Sequence, residues 1–392
     1  MASVSSLEPM LPEDDRHELE DLATDLIAKS NALTGRLNPA MRAGIGDLVR
    51  AMNCYYSNLI EGHNTLPVDI DRALAGNFSK DKKRRDLQVE ARAHIEVQRL
   101  IDRGEPPSPV VSLDFILWVH KEFCRRLPDD LLVVENRDTG EKLPVVPGEL
   151  RSRDVRVGPH IPPDPSELPA FLKRFTEAYN ASHLSRLRKV IGVAAAHHRL
   201  LWIHPFLDGN GRVARLFSHA WLRDLGAGSE LWSVSRGLAR NVAEYKSRLA
   251  AADEPRRGDL DGRGNLTQAG LEEFCRFFLT TCVDQVAFME GLLEPAELLR
   301  RIEIWAEEET RARRLPRGSW PLLREAVIAG EFARGRAAGL TGYETRQART
   351  VLNTLIEAGY LVSGTSRAPV RLGFPIEVVE RWFPKLYVAP PA

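Results

Sequence analysis

The chain has 392 residues, 43% hydrophobic and 28% charged, enough apolar material for two or three domains and too much for a chain that stays disordered. Its 54 Lys+Arg balance 54 Asp+Glu, so no global field points to nucleic acid or a membrane surface, and such a partner needs a local patch. Met1–Asp15 lacks the basic and apolar runs of a secretory signal, and the longest apolar stretch, Val190–Trp202, is broken by His197, His198 and Arg199, so a cytoplasmic protein with no membrane partner is expected.

Taken in chain order, Asp14–Ser30, Met41–Ile60 and Arg84–Arg103 have apolar residues recurring at three and four and are expected to be helices. Pro106, Pro107 and Pro109 then punctuate the chain, with Ser112 or Asp114 as N-cap of a helix through Leu127. Leu131–Pro165 is rich in Val, Pro and Gly, and Asp154–Val157 reads as a short strand of a hairpin. Helical periodicity returns over Ser166–Ile203 with a break near Asn180, again over Arg212–Leu225, and over Leu266–Leu293. The loop Arg256–Gly264 is charged and Gly-rich. The four cysteines, Cys54, Cys124, Cys275 and Cys282, match no zinc or redox spacing and are expected to be free thiols.

Beyond about Ile302 the composition shifts. From Arg311 onward there are thirteen Lys/Arg against six Glu and no Asp. Helices over Trp320–Ala329, Glu331–Ala338 and Tyr343–Ala358, then a hairpin at Tyr360–Leu372 turning near Gly364, make a winged-helix order, joined to the rest through a charged helix at Glu294–Arg314.

The chemistry concentrates in one loop, His204-Pro205-Phe206-Leu207-Asp208-Gly209-Asn210-Gly211-Arg212-Val213-Ala214-Arg215. Gly209 and Gly211 permit close approach of a ligand to the backbone, and they precede a helix whose first N–H groups attract anions. With Arg212 and Arg215 three apart on that helix, they form a phosphate cradle. Asp208 supplies one carboxylate, sufficient for a magnesium ion that is otherwise held by substrate phosphates. His204 is suited to accept a hydroxyl proton near neutral pH. A cradle, a metal ligand and a base together suit transfer between phosphate and a hydroxyl.

The loop resembles the signature of the Fic family, His-x-Phe-x-Asp/Glu-Gly-Asn-Gly-Arg-x-x-Arg, with every fixed position filled by His204, Phe206, Asp208, Gly209, Asn210, Gly211, Arg212 and Arg215. The resemblance implies a mainly α fold: a Fic-type helical core with a small β-hairpin flap, preceded by a helical region and followed by the winged helix. Domain limits of 1–105, 106–298 and 299–392 are expected. It implies a protein adenylyltransferase that moves AMP from ATP to a Ser, Thr or Tyr hydroxyl of a protein, possible targets including the chain itself. His204 would be the base and Asp208 the Mg2+ ligand. Gly209, Asn210, Gly211, Arg212 and Arg215 would bind the nucleotide phosphates, and Phe206 would anchor the loop.

Further stretches match the same family. Gly148–Arg151, Val155-Arg156-Val157-Gly158 and His160–Pro163 look like its flap, which in relatives adds the target segment as a strand. Asn241 and Tyr245 fall where relatives approach the adenine. Ser57-Asn58-Leu59-Ile60-Glu61-Gly62 resembles the family's inhibitory motif, in which Ser57, one helical turn away, would orient Glu61 against Arg215 and so exclude ATP. Relatives of this layout often form homodimers. Two other reactions or roles compete. Glu61 can instead serve removal of AMP from modified targets, and the basic C-terminal region, with Arg346, Arg349, Arg367 and Arg371, can bind DNA. A zinc hydrolase built on His197, His198 and His204 is disfavoured, because no His-Glu-x-x-His spacing is present.

Overall fold

The computed structural model describes residues 4–13, 17–135 and 140–388. Among them the chain is mainly helical. The N-terminal part holds α1 (Glu18–Gly35), α2 (Pro39–Ile60), α3 (Pro67–Leu74) and α4 (Lys82–Asp102). The middle holds α5 (Leu113–Cys124), β1 (Val133–Glu135), β2 (Lys142–Pro144), α6 (Leu168–Tyr179), α7 (Arg186–Ile203), α8 (Asn210–Asp224), α9 (Val234–Arg240), α10 (Val242–Ala252) and α11 (Gln268–Leu292). The C-terminal part holds α12 (Pro295–Arg311), α13 (Ser319–Ala329), β3 (Glu331–Phe332), α14 (Ala337–Thr341), α15 (Thr345–Glu357), β4 (Leu361–Val362), β5 (Val370–Leu372) and α16 (Ile376–Trp382).

Helix starts follow local capping chemistry. Asn38, Asp81, Ser112, Ser185 and Ser233 each accept a backbone N–H from the first turn of the helix they open, and Pro39 stands at the first position of α2. Of the two candidate caps before α5, Ser112 takes the role. The expected helix Asp14–Ser30 begins in the described residues at Glu18; residues 14–16 lie outside them.

At the centre, α7 packs on α8, with α11 against α7 and α5 against α8. The two central helices are buried nearly all round, around Phe115, Phe171, Phe175, Phe206, Phe217, Phe274 and Phe278. That is why α7 reads as an apolar run: its three polar interruptions are each satisfied inside. The buried Arg199 donates to the Pro9 carbonyl (3.0 and 2.8 Å), His198 lies 3.1 Å from Asp253, and His197 bonds Ser218 and Tyr245.

Two expectations of secondary structure need correction. The segment 154–157 is not a strand; the ladder lies earlier, where β1 and β2 pair antiparallel with Val134 opposite Leu143. At 157–160 the chain makes a two-residue turn closed by one antiparallel bridge, Val157 to His160. Pro159, Pro162 and Pro163 have no N–H to extend a ladder, and Gly158 takes φ +60° at the bend. Farther on, the expected helix Glu331–Ala338 is mostly absent. Gly330 (φ +81°) ends α13, Glu331–Phe332 become an edge strand, and helix resumes at Ala337. The C-terminal order is thus helix, strand, two helices and two strands, with a three-stranded antiparallel sheet ordered β3-β5-β4.

This C-terminal part leans on α2. A Cβ at Gly44 would lie 2.9 Å from the Phe374 ring, so the close approach depends on glycine. The tail following α16 also reaches α2: Tyr56 donates its hydroxyl to the Leu386 carbonyl and accepts from Val388 N–H, both at 2.9 Å.

Candidate functional site

The loop between α7 and α8 is closed from within. The Asn210 side chain accepts from Phe206 N–H (3.0 Å) and donates to Phe206 C=O (2.8 Å), so its amide staples the loop while its backbone opens α8. Gly209 (φ +81°) is the left-handed N-cap of α8, and the Asp208 carboxylate accepts its N–H at 2.7 Å. Phe206 is fully buried and stacks flat on His120, ring centroids 3.9 Å apart at 5°. His120 was invisible to sequence reasoning. It accepts the Gly148 N–H on Nδ1 (2.9 Å), which leaves its proton on Nε2, beside Cys124 Sγ and Gly209. Burial holds His120 down to about 4, the nearby Asp208 opposing.

His204 closes α7 in a left-handed conformation (φ 49°, ψ 62°). Burial pushes its imidazole down to about 4, with Arg151 and His160 adding to the effect and the Leu201 carbonyl and Asp208 opposing it. The ring is therefore neutral at physiological pH and able to accept a proton. Its Nδ1 is buried and makes no well-aligned hydrogen bond among the described residues.

The phosphate-type arginines are both engaged. Arg215, 2% exposed, donates Nη2 to Glu61 Oε1 at 2.5 Å and Nε to Ser57 Oγ at 2.8 Å. Ser57 thus orients the arginine; the expectation that it orients Glu61 is not met. The Glu61 carboxylate also sits on the first turn of α8: a Cβ placed on Gly211 would lie 2.2 Å from Oε1. The anion held at this helix start is the chain's own. Burial would raise the Glu61 carboxyl, but Arg215, Arg212 and His63 outweigh it and hold it below the usual range. Gly62 has a physical reason. It takes φ +82°, and Gly62 N–H to Leu59 C=O with His63 N–H to Asn58 C=O closes α2 in a Schellman turn that leaves Glu61 at the cap.

Arg212 finds partners far from it along the chain. Its Nη2 donates to Glu90 on α4 at 2.6 Å and lies 3.1 Å from His63 Nδ1, while its guanidinium stands over the Phe123 ring. Glu90 and His63 are themselves 3.1 Å apart. In the sequence, His63 directly follows the stretch Ser57–Gly62.

Tyr245 and Asn241 fall in different settings. Tyr245 is buried, and its hydroxyl donates to His197 Nε2 at 2.7 Å; His197 in turn reaches Ser218, whose hydroxyl bonds the Ala214 carbonyl on α8. Burial holds His197 neutral, near 3. The tyrosine therefore braces the arginine helix from beneath and offers no open face to an adenine. Asn241 is exposed at the corner between α9 and α10 and bonds the Gly237 carbonyl.

The flap turn carries Val155, Arg156, Val157 and Gly158, with Val157 and Ile161 exposed. Arg151, at its base, is buried and donates only to carbonyls, including that of His204 (2.8 Å). All four cysteines are buried free thiols. No group of three or more His, Cys, Asp or Glu among the described residues could hold a metal by itself, so neither a zinc site nor a metal cage is present there. No described helix is long and apolar enough to cross a membrane.

Residues 110–222 match the family model described as Fic/DOC family. The chain is 41% identical over 144 residues to the protein adenylyltransferase Fic of Drosophila virilis, 35% of this chain and 30% of that one. It is 42% identical over 97 residues to the protein of the same name from Drosophila melanogaster, 25% and 20% of the two chains. These matches span 30% or less of the relatives' length. Among solved structures, a Fic family protein from Desulfovibrio desulfuricans aligns over 90% of this chain and 96% of its own, at TM-score 0.51 and 18% identity. Residues 134–508 of Fic-1 from C. elegans align over 71% and 73%, at TM-score 0.50 and 18% identity, a likeness of fold. Over residues 110–222 the chain therefore matches the Fic/DOC family.

Proposed function

We propose that the chain is a protein adenylyltransferase whose own Glu61 holds it in check. The observation that carries this reading is the carboxylate of Glu61 on the first turn of α8 and on Arg215, in the place of a nucleotide phosphate, beside an intact His204 and Asp208. The acceptor hydroxyl attacks the α-phosphorus of ATP, forming the new P–O bond as the bond to the β-phosphate oxygen breaks. Pyrophosphate leaves and the proton passes to His204. A ring held near 4 in the free protein becomes a better base when the phosphates bring negative charge beside it. The amides of Gly209, Asn210 and Gly211 with Arg212 and Arg215 would receive the phosphates. A single exposed carboxylate on the loop fits Mg2+ that arrives with the nucleotide, and Asp208 would hold it there, neutralising phosphate charge.

The target is a protein hydroxyl presented along the flap turn, and the units we assign are 1–105, 106–298 and 299–392. For the last of these we add a second role as a winged helix that contacts DNA. Its support is that Arg346 and Arg349 on α15 and Arg367 on the wing are exposed and make no ion pair among the described residues. Binding that weakens with added salt, and is lost in the triple alanine variant, is the expected behaviour.

The transferase reading is tested by intact-mass analysis after incubation with ATP and magnesium. Glu61→Gly is expected to gain the mass of AMP, on itself or on an added target, and Glu61→Gly with His204→Ala is not. Absence of ATP binding by Glu61→Gly would refute the phosphate site. ATP binding without transfer, together with release of AMP from pre-modified protein, would make removal of AMP the reaction of the same core.

A further inference from the structure

The flap and the catalytic loop are joined at one side chain. Arg151 is 3% exposed and pairs with no carboxylate among the described residues. Instead Nε donates to the His204 carbonyl (2.8 Å), Nη1 to the Arg153 carbonyl (3.0 Å) and Nη2 to the Pro163 carbonyl (2.5 Å). Its backbone N–H donates to the Pro205 carbonyl at 2.9 Å. Arg153 and Pro163 stand on the two arms of the turn whose tip is the Val157–His160 bridge. One planar fork therefore closes the base of the flap and, by its third nitrogen, holds the backbone of His204.

That backbone needs holding. A left-handed residue at the end of a helix is ordinarily glycine, and a side chain there costs on the order of 1 kcal/mol. Here the position must carry an imidazole. The left-handed turn leaves the His204 carbonyl without a helical partner, and Arg151 supplies one. A buried guanidinium is costly, and fold stability alone is as well served by an apolar side chain. What only a rigid, charged, three-way donor provides is a fixed distance between flap and base.

We propose that Arg151 is a positioning residue for the transfer reaction: it sets the place of a flap-held acceptor hydroxyl relative to His204, without touching nucleotide or acceptor itself. The proposal rests on the transferase reading. Among the described residues Arg151 makes no hydrogen bond or ion pair with Arg212, Arg215, Gly211 or Asp208, so its loss should leave nucleotide binding alone and misplace the reacting hydroxyl. Misplacement by about an ångström is worth roughly a hundredfold in rate.

The test uses the full chain with Glu61→Gly as parent, and Arg151→Met and Arg151→Lys in that background. ATP affinity is measured by calorimetry, transfer to the added target by single-turnover mass analysis, and the His204 ring by NMR titration. The expected result is ATP affinity within twofold of the parent in both variants. Transfer should fall about a hundredfold in Arg151→Met, with partial recovery in Arg151→Lys, and the His204 titration should move up when the neighbouring charge is removed. Arg151→Lys keeps the charge and guards against loss of fold in Arg151→Met. Parent-like transfer in both variants, or equal losses of ATP binding and transfer, would overturn the proposal. If the parent binds ATP but transfers nothing, the transferase reading fails separately. The His204 titration then decides the point: an unmoved titration ends the proposal.

Discussion

Replacing Glu61 by Gly or Gln should raise the affinity for ATP before any chemistry is considered. The Glu61 to Arg215 contact is charge-assisted and 2.5 Å long, and it lies against a guanidinium only 2% exposed. Hydrogen bonds to charged groups contribute about 1.5–3 kcal/mol net. The Glu61 side chain keeps 35% of its exposure, so solvent screening favours the low end. About 1.5 kcal/mol that ATP no longer has to displace corresponds to roughly a tenfold gain in affinity. Without nucleotide the same change leaves Arg215 with no carboxylate partner among the described residues, so the unliganded variant should melt earlier than wild type and regain more stability than wild type on adding ATP. Calorimetric titration with MgATP and thermal melts with and without it supply both numbers. Equal ATP affinity in wild type and both variants would refute the competition, because the carboxylate would then not occupy the phosphate position.

Other expectations use the same geometry. The Glu61 carboxyl is held below its usual range, so the ion pair contributes stability above the unfolded carboxylate value and loses it only as pH falls through the lowered one. The ATP affinity of wild type relative to Glu61→Gln should therefore stay constant from pH 8 to about 5; a rise in wild-type affinity across that window would count against the pair. His204 is depressed to about 4, so kcat/KM of Glu61→Gly should be flat through neutral pH with an acid limb well below the ordinary histidine value. An acid limb near 6.5 would contradict the burial argument. Phe206→Ala removes a fully buried ring stacked on His120 and should cost about 3–5 kcal/mol in urea denaturation. Tyr56→Phe removes the acceptor of Val388 N–H and the donor to Leu386 C=O, and amide exchange over 385–388 should quicken while the helical core is unchanged.

The contiguous part of the site was legible in the sequence because its parts lie within twelve residues and each residue type has a local job. Helices long enough to show a stripe were legible too, α2, α4 and α11 among them. The short α3 and α9 give too few turns for a period, and α10 buries only Tyr245 and Ala252, so none of the three carried a signal. What could not be read was the identity of distant partners. Glu90 stands 122 residues from Arg212, Arg151 53 residues from His204, and Ser57 turned out to serve Arg215. Such pairings are created by packing α4, α2 and the flap around α8, and nothing in one segment announces its mate in another. The flap strand was misread because valine alternation outweighed three prolines that cannot donate to a ladder.

The helix that delivers Glu61 has fifteen of its twenty-two residues buried, and it is gripped along its length. Arg50 pairs with Asp102, Asn53 with Gln98, Tyr56 with the tail, and Gly44 lies under Phe374. Glu61 itself comes after the last turn, beside Gly62 at positive φ. Withdrawing the brake by undocking α2 would mean tearing open the protein, whereas rotating one side chain about its own bonds disturbs little else. Side-chain rotamers interconvert in picoseconds to nanoseconds when exposed, far faster than helices separate. On the reading proposed above, the brake therefore has no memory: occupancy at each moment follows the instantaneous nucleotide level, and a sustained change of state requires something else to seize the carboxylate.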